Sequence, residues 1–300
     1  MFRHMLVPLD GSRLAEAVLP LVAALGRRLP ARVTLLHVVE PEAPPTVHGD
    51  VHLRQAAEAE AYLRGAAGWL AGQGVEAGIV VGQGADVAGV IARRAAEAEA
   101  DLVVLCTHGS GGFRAFLFGR VAQQVLARGT IPVLLLPPDA VRREEPFLCR
   151  RLLVPLDGSP MAEAALDPAM TLARIFGAEL LLVMVVPTLA TLTDDRAAAA
   201  KLMPTAGTAL LDAEAREGLS YLDGVMARLP RDGIPAARRV DRGEPVRVLL
   251  DLLARGDADL TVMATHGRSG VSAVWAGSVA SRLVAHTPRP LLLIRIPRES

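Results

Sequence analysis

Asp10 and Ser12, in the hexamer VPLDGS (7–12), recur as Asp157 and Ser159 in an identical VPLDGS (154–159). A carboxylate just past an apolar run can accept hydrogen bonds from a ribose hydroxyl or an adenine amine. The same Asp-x-Ser can instead cap the helix that follows. A duplication copies either role, so the repetition leaves both readings open. A second group is ATHGRSGVSAVWAGS (264–278). There Ala264 ends an apolar run, Gly267 opens a glycine-containing loop, and Gly277 and Ser278 precede a helical pattern. Glycines let successive N–H groups converge on one point. A helix N-terminus adds donors and the positive end of a dipole, and Ser278 adds a hydroxyl. Together these suit an anionic phosphate chain, although glycine-rich loops also occur without a ligand. Neither GxxxxGK(S/T) nor GxGxxG after a first strand is present, so a nucleotide would be held by another device.

Other residues carry weaker signals. His108 and His266 end matching apolar runs, but no nucleophile or acid stands beside them in sequence, so packing competes with general-base chemistry. His48 and His52, four apart and flanking Asp50, can share a helix face and with it a metal ion. They follow EPEAPP (40–45), however, which reads as a loop running into a helix. Trp69 and Trp275 read first as packing residues. Trp275, inside the glycine loop, can also cover a ligand. Cys106 and Cys149 are the only cysteines and form no CxxC. They read as small buried hydrophobes in a reducing, cytoplasmic setting.

The hexamer belongs to a longer repeat. AEA at 15–17 returns at 162–164, and VTLLHVV (33–39) is echoed by LLLVMVV (180–186), both at an offset of 147. ADLVVLCTHG (100–109) then matches ADLTVMATHG (258–267), and GRVAQQVLARGTIPVLLL (119–136) matches GSVASRLVAHTPRPLLLI (277–294), at 158. The second copy therefore carries a net insertion, placed around 190–209. A unit of this length is a whole domain rather than a solenoid repeat. The division is 1–138, a Pro- and charge-rich linker at 139–150, and 151–300. The chain is 51% hydrophobic, with 32 basic and 32 acidic residues. That neutrality argues against nonspecific nucleic-acid binding. No apolar run approaches the roughly 18 residues of a membrane span.

Each copy alternates strand-length apolar runs with helical patterns. The runs are continuous rather than alternating, as in parallel strands covered on both faces. Leu14, Val18, Leu21, Val22 and Leu25 trace one helix face. Val121, Val125 and Leu126 trace another, as do Val279, Leu283 and Val284. This predicts an α/β fold of two tandem doubly wound domains, each a five-stranded parallel sheet with helices on both faces. A ligand crevice would lie at the carboxyl edge, where the winding reverses.

The VPLDGS start, the ADLxVxxTHG strand end, the nine-residue loop, the following G(S/T)V and the closing PxPLLL strand together resemble the universal stress protein family. The resemblance covers both copies apart from the linker and the insertion. It implies strand order 3-2-1-4-5, dimerisation through the last strand and, in many members, ATP bound through G-x2-G-x9-G-(S/T). In the second copy that pattern falls on Ala264, Gly267, Gly277 and Ser278, with alanine for the first glycine. By the resemblance Pro155, Leu156, Asp157 and Val185 line the adenosine end, and His266, Gly267, Arg268, Gly277, Ser278 and Val279 face ribose and phosphates. In the first copy the pattern falls on Cys106, Gly109, Gly119 and Arg120, beside Asp10 and Val38. There a bulkier residue replaces the first glycine, and Arg120 replaces the hydroxyl. Arg120 can close the phosphate site or grip the anion directly, and the second copy is expected to be the better site.

The resemblance thus implies an ATP-binding protein, with Mg²⁺ where the nucleotide carries it, acting in stress response or signalling. The fused copies would form an intramolecular pseudo-dimer, and two chains can pair further as a homodimer. A slow ATP hydrolase and a ligand-free, chaperone-like protein remain the alternatives.

Overall fold

The computed structural model describes the chain except residues 43, 108–119, 129, 141–144, 193–202, 231–232, 267–278 and 297–300. Two compact units emerge. One is built on Met1–Leu148 and takes in the terminal strand; the other is built on Cys149–Ala264.

In the first unit five strands are mutually parallel: β1 (His4–Pro8), β2 (Arg32–Val39), β5 (Ala77–Gln83), β6 (Leu102–Cys106) and β7 (Val133–Leu136). Their order is β5-β2-β1-β6-β7, which is 3-2-1-4-5. The terminal strand β12 (Leu291–Ile296) adds to β7 antiparallel, with Leu291, Leu292 and Leu293 opposite Leu135, Leu134 and Val133. A two-stranded hairpin, β3 (Thr46–Val47) and β4 (Asp50–Val51), follows β2. The helices are α1 (Leu19–Gly26), α2 (Ala56–Gly72), α3 (Val87–Glu97) and α4 (Arg120–Arg128). Right-handed crossovers in a sheet that reverses at β1 send helices to both faces. Every residue of β7 is buried, as is the middle of β2, which accounts for the unbroken apolar sequence of β7 and the largely apolar one of β2.

The helix expected from Leu14 begins instead as a 3-10 turn, Ala15–Val18, and becomes α-helical at Leu19. Pro20 explains the change: in a continuous α-helix its ring would clash with the carbonyl four residues earlier. Leu19 bonds to Glu16 O three residues back.

The second unit repeats the scheme. β8 (Arg151–Pro155), β9 (Glu179–Val186), β10 (Ala236–Arg242) and β11 (Leu260–His266) lie in the order β10-β9-β8-β11. The helices are α5 (Pro160–Glu163), α6 (Leu166–Phe176), α7 (Pro204–Arg228), α8 (Pro245–Ala254) and α9 (Val279–His286). The sequence offsets reappear as register. Met5 pairs with Leu102, and Leu152 with Leu260. Asp101 accepts the backbone N–H groups of Arg3 and His4, and Asp259 those of Arg150 and Arg151. In each unit an arginine of the last helix also pairs with the acid capping the helix before it: Arg128 with Asp86, Arg282 with Glu244.

Candidate functional site

The two VPLDGS copies fold alike. Asp10 Oδ1 accepts the Ser12 N–H at 2.9 Å and the Ser12 hydroxyl at 2.6 Å, and Ser12 Oγ accepts the Ala15 N–H at 3.1 Å. Asp157 Oδ1 accepts the same two groups of Ser159 at 2.9 and 2.6 Å, and Ser159 Oγ accepts the Ala162 N–H at 3.2 Å. The two readings of Asp-x-Ser are therefore compatible. Serine caps, one aspartate oxygen orients the serine, and the other oxygen is turned to a separate task.

In the first unit that task faces a cavity of about 290 Å³ at the carboxyl ends of β1, β2 and β6, roofed by the β3–β4 hairpin. Leu36, Val38, Ile91, Leu105 and Val121 supply apolar wall, and Cys106 closes the β6 side. The described polar lining consists of carboxylates and imidazoles: Asp10, Glu40, His37, His48 and His52. No lysine or arginine occurs among the described lining residues.

Sequence reasoning passed over His37. Its ring is 1% exposed in the middle of β2, and Nδ1 donates to the Leu9 carbonyl at 2.8 Å. Burial lowers its pKa and outweighs the Leu9 and Leu53 backbone groups that favour the charged ring. The neutral ring's Nε2 makes no hydrogen bond with the described residues and is an acceptor. The signal available was a histidine in the middle of a strand whose inner residues are otherwise apolar apart from Thr34.

The expectation that His48 and His52 share a helix face is corrected. His48 is at the tip of the hairpin, with φ 50° followed by Gly49 at 87°, and His52 lies just beyond β4. Two successive left-handed residues make the tight turn that joins antiparallel strands, so His-Gly here plays the part of Asn-Gly. Their rings point to different carboxylates, His48 Nε2 to Asp10 Oδ2 at 3.5 Å and His52 Nε2 to Glu40 Oε1 at 3.8 Å.

Of the residues expected at the first-copy site, Asp10 and Val38 line this cavity. Arg120 begins α4, whose Val121 and Ala122 reach the cavity; its side chain, Gly109 and Gly119 lie outside the described residues. In the second copy Pro155 ends β8 and Leu156 is buried, its N–H donating to Val183 O at 2.8 Å. Asp157 is exposed, Val185 is half-buried on β9, Ala264 is buried on β11, and Val279 opens α9. Val38 and Val185 occupy the same register, since Leu9 N–H bonds to Leu36 O as Leu156 N–H does to Val183 O. His266 ends β11, with its side chain outside the described residues. Gly267, Arg268, Gly277 and Ser278 also lie outside them, as do His108 and Trp275.

Comparison with known proteins places this geometry. The universal stress protein family model matches twice, over residues 1–137 and 149–295. A universal stress protein of Methanocaldococcus jannaschii is 25% identical over 54% of this chain and 91% of its own length. One from Mycobacterium tuberculosis is 30% identical over 66% of this chain and 62% of its own length. A crystal structure of a universal stress protein from Archaeoglobus fulgidus superposes over 98% of this chain and 99% of its own, with a TM-score of 0.70 at 19% identity. The chain belongs to the universal stress protein family and carries two copies of its unit in tandem. No helix among the described residues is long and apolar enough to cross a membrane.

Proposed function

We propose that the chain binds an adenine nucleotide, ATP in the first instance, at the carboxyl edge of its sheets and acts through that occupancy in stress signalling. The observation that carries the reading is the cavity beside Asp10, at the point between β1 and β6 where the strand order reverses. Open α/β sheets bind ligands at that point. Its apolar walls suit a flat base, while Asp10 and neutral His37 are acceptors for the N–H and O–H donors of an adenosine. These residues fit the adenosine end of the nucleotide. The phosphate chain, with Mg²⁺ where it is carried, falls to the glycine loops read from the sequence.

In this reading Asp157 and Val185 repeat the Asp10 and Val38 positions, and Ser278 gives the second copy the stronger phosphate grip. The bound nucleotide sets the conformation of the glycine loop and the following helix, and hence the surface offered to a partner. The β7–β12 pair is taken as the fused counterpart of a last-strand pairing between two copies; it covers an apolar edge that would otherwise be exposed.

Thermal unfolding with and without ATP and Mg²⁺ tests the reading. A ligand that binds only the native state at 100 times its Kd adds about 2.7 kcal/mol. A midpoint that rises with ATP supports it, and a midpoint unmoved at millimolar ATP refutes it.

A further inference from the structure

One short segment closes the first-unit cavity. Residues 46–51 double back over the ends of β1 and β2, and polar contacts among the described residues hold them there. Arg13 N–H donates to Asp50 Oδ2 at 3.0 Å, and His52 Nδ1 meets the Pro44 carbonyl at 3.1 Å. Two more are the His48–Asp10 and His52–Glu40 pairs at 3.5 and 3.8 Å.

The chemistry of these rings depends on a proton. A carbonyl oxygen only accepts, so His52 Nδ1 carries the hydrogen. A neutral His52 then turns the lone pair of Nε2 toward Glu40, and a second proton makes that contact attractive. Asp10 has committed Oδ1 to Ser12, so Oδ2 is the oxygen left for His48. The His52 side chain is 4% exposed and that of His48 22%, while their partners Glu40 and Asp10 are 34% and 36% exposed, so solvent screens the pairs in part.

We propose that the hairpin at residues 46–51 is a proton-operated cover over the first-unit cavity, latched through His48–Asp10 and His52–Glu40 and released as the two imidazoles lose their charge. The cover regulates the site assigned above, and its importance for ligand exchange rests on that assignment. Closing takes up protons, so it is favoured at lower pH.

The groups around the latch agree with this sign. Asp10 and Arg13 face it from beyond β1, His37 from β2, Glu40 from just beyond β2, Cys106 from β6, and Asp50 from the hairpin itself. His37 stays neutral because it is buried, and a charged His52 nearby reinforces that. Glu58, at the start of α2, is committed to the N–H groups of Arg54 and Gln55. The described α3 and α4 residues at the cavity, Val87, Ile91, Val121 and Ala122, are uncharged. The second copy has no histidine between β9 and α7, and Met184 stands at the position of His37. A proton-dependent cover is therefore a property of the first copy alone.

The test is hydrogen–deuterium exchange of the backbone at residues 44–53 in the full chain without added nucleotide. It compares about pH 5.5 with about pH 8, the span over which histidine changes charge, after correction for the intrinsic pH dependence of exchange. Two ion pairs of ordinary strength give about five- to tenfold greater protection at the lower pH. The His48→Gln, His52→Gln double variant should lose that difference. Equal protection at both pH values, or an unchanged difference in the double variant, overturns the proposal.

Ring titration of the intact protein by NMR gives a check that needs no variant: the midpoint of hairpin protection must coincide with those of His48 and His52. A mismatch also overturns it. ATP binding measured at both pH values separates this idea from the ligand assignment. If ATP never binds but protection still follows pH, the ligand assignment fails and the cover stands. If ATP binds while protection ignores pH, the cover fails and the assignment stands.

Discussion

Ser12 gives its hydroxyl to Asp10 at 2.6 Å and takes the Ala15 N–H at 3.1 Å, so one serine both ties down the first N–H of the 3-10 turn and fixes a carboxylate. Its side chain is completely buried, whereas Ser159 in the second copy is part-exposed. Ser12→Ala should therefore cost about 1–2 kcal/mol in urea unfolding, the upper range for a lost N-cap, and Ser159→Ala nearer 1 kcal/mol. The reverse order would show that the cap matters less than the aspartate it orients.

The two cysteines should react in a fixed order. Cys149 is buried, and burial beside Asp259 pushes its thiol up, away from the reactive thiolate. Cys106 is half-exposed at the cavity wall. Iodoacetamide on the native chain should label Cys106 first, with Cys149 following only on unfolding. A nucleotide that enters the first-unit cavity should slow labelling at Cys106, and peptide mass spectrometry reads both effects.

His37 makes stability depend on pH in a definite direction. Its ring is held neutral by burial, while in the unfolded chain it protonates near pH 6.5. Below that value the unfolded state binds the extra proton, so this contribution is complete above about pH 6.5 and is lost as pH falls toward the lowered folded value. His37→Asn should make the fall in unfolding free energy between about pH 7.5 and pH 5.5 shallower than in the native sequence. An unchanged slope would mean that the ring protonates in place.

The fold was legible because several levels of the sequence agree. Continuous runs such as VTLLHVV and PVLLL became buried parallel strands, and the offsets of 147 and 158 became matched registers at Met5–Leu102 and Leu152–Leu260. The cavity was less legible. Asp10 and Val38 could be placed from their strand ends, but the roof could not. His48 at φ 50° does the work usually given to asparagine, so the Asn-Gly turn signal is absent from TVHGDV and the segment read as a loop. His37 is set by tertiary burial, which a local pattern does not encode. Pro20 broke the first helix at a position that the apolar spacing alone runs through.

The last strand tests what covers the first sheet's edge. Leu134 and Leu292 are both buried and directly opposed across the antiparallel pair. Leu134→Ala and Leu292→Ala should each cost about 2–5 kcal/mol in urea unfolding. The double variant should lose less than the sum, because opposed neighbours share one contact. Strict additivity would show that the two side chains do not support each other.

The most direct test of the account is the nucleotide content of the purified chain: denature it, separate the extract by chromatography, and count nucleotide per chain. The account predicts close to one ATP per chain after purification, retained in the tighter second copy, with the first-unit cavity filling only when ATP is added. Two per chain would contradict the inequality of the copies and make Arg120 a phosphate ligand. None, with no binding on titration, would contradict nucleotide binding itself.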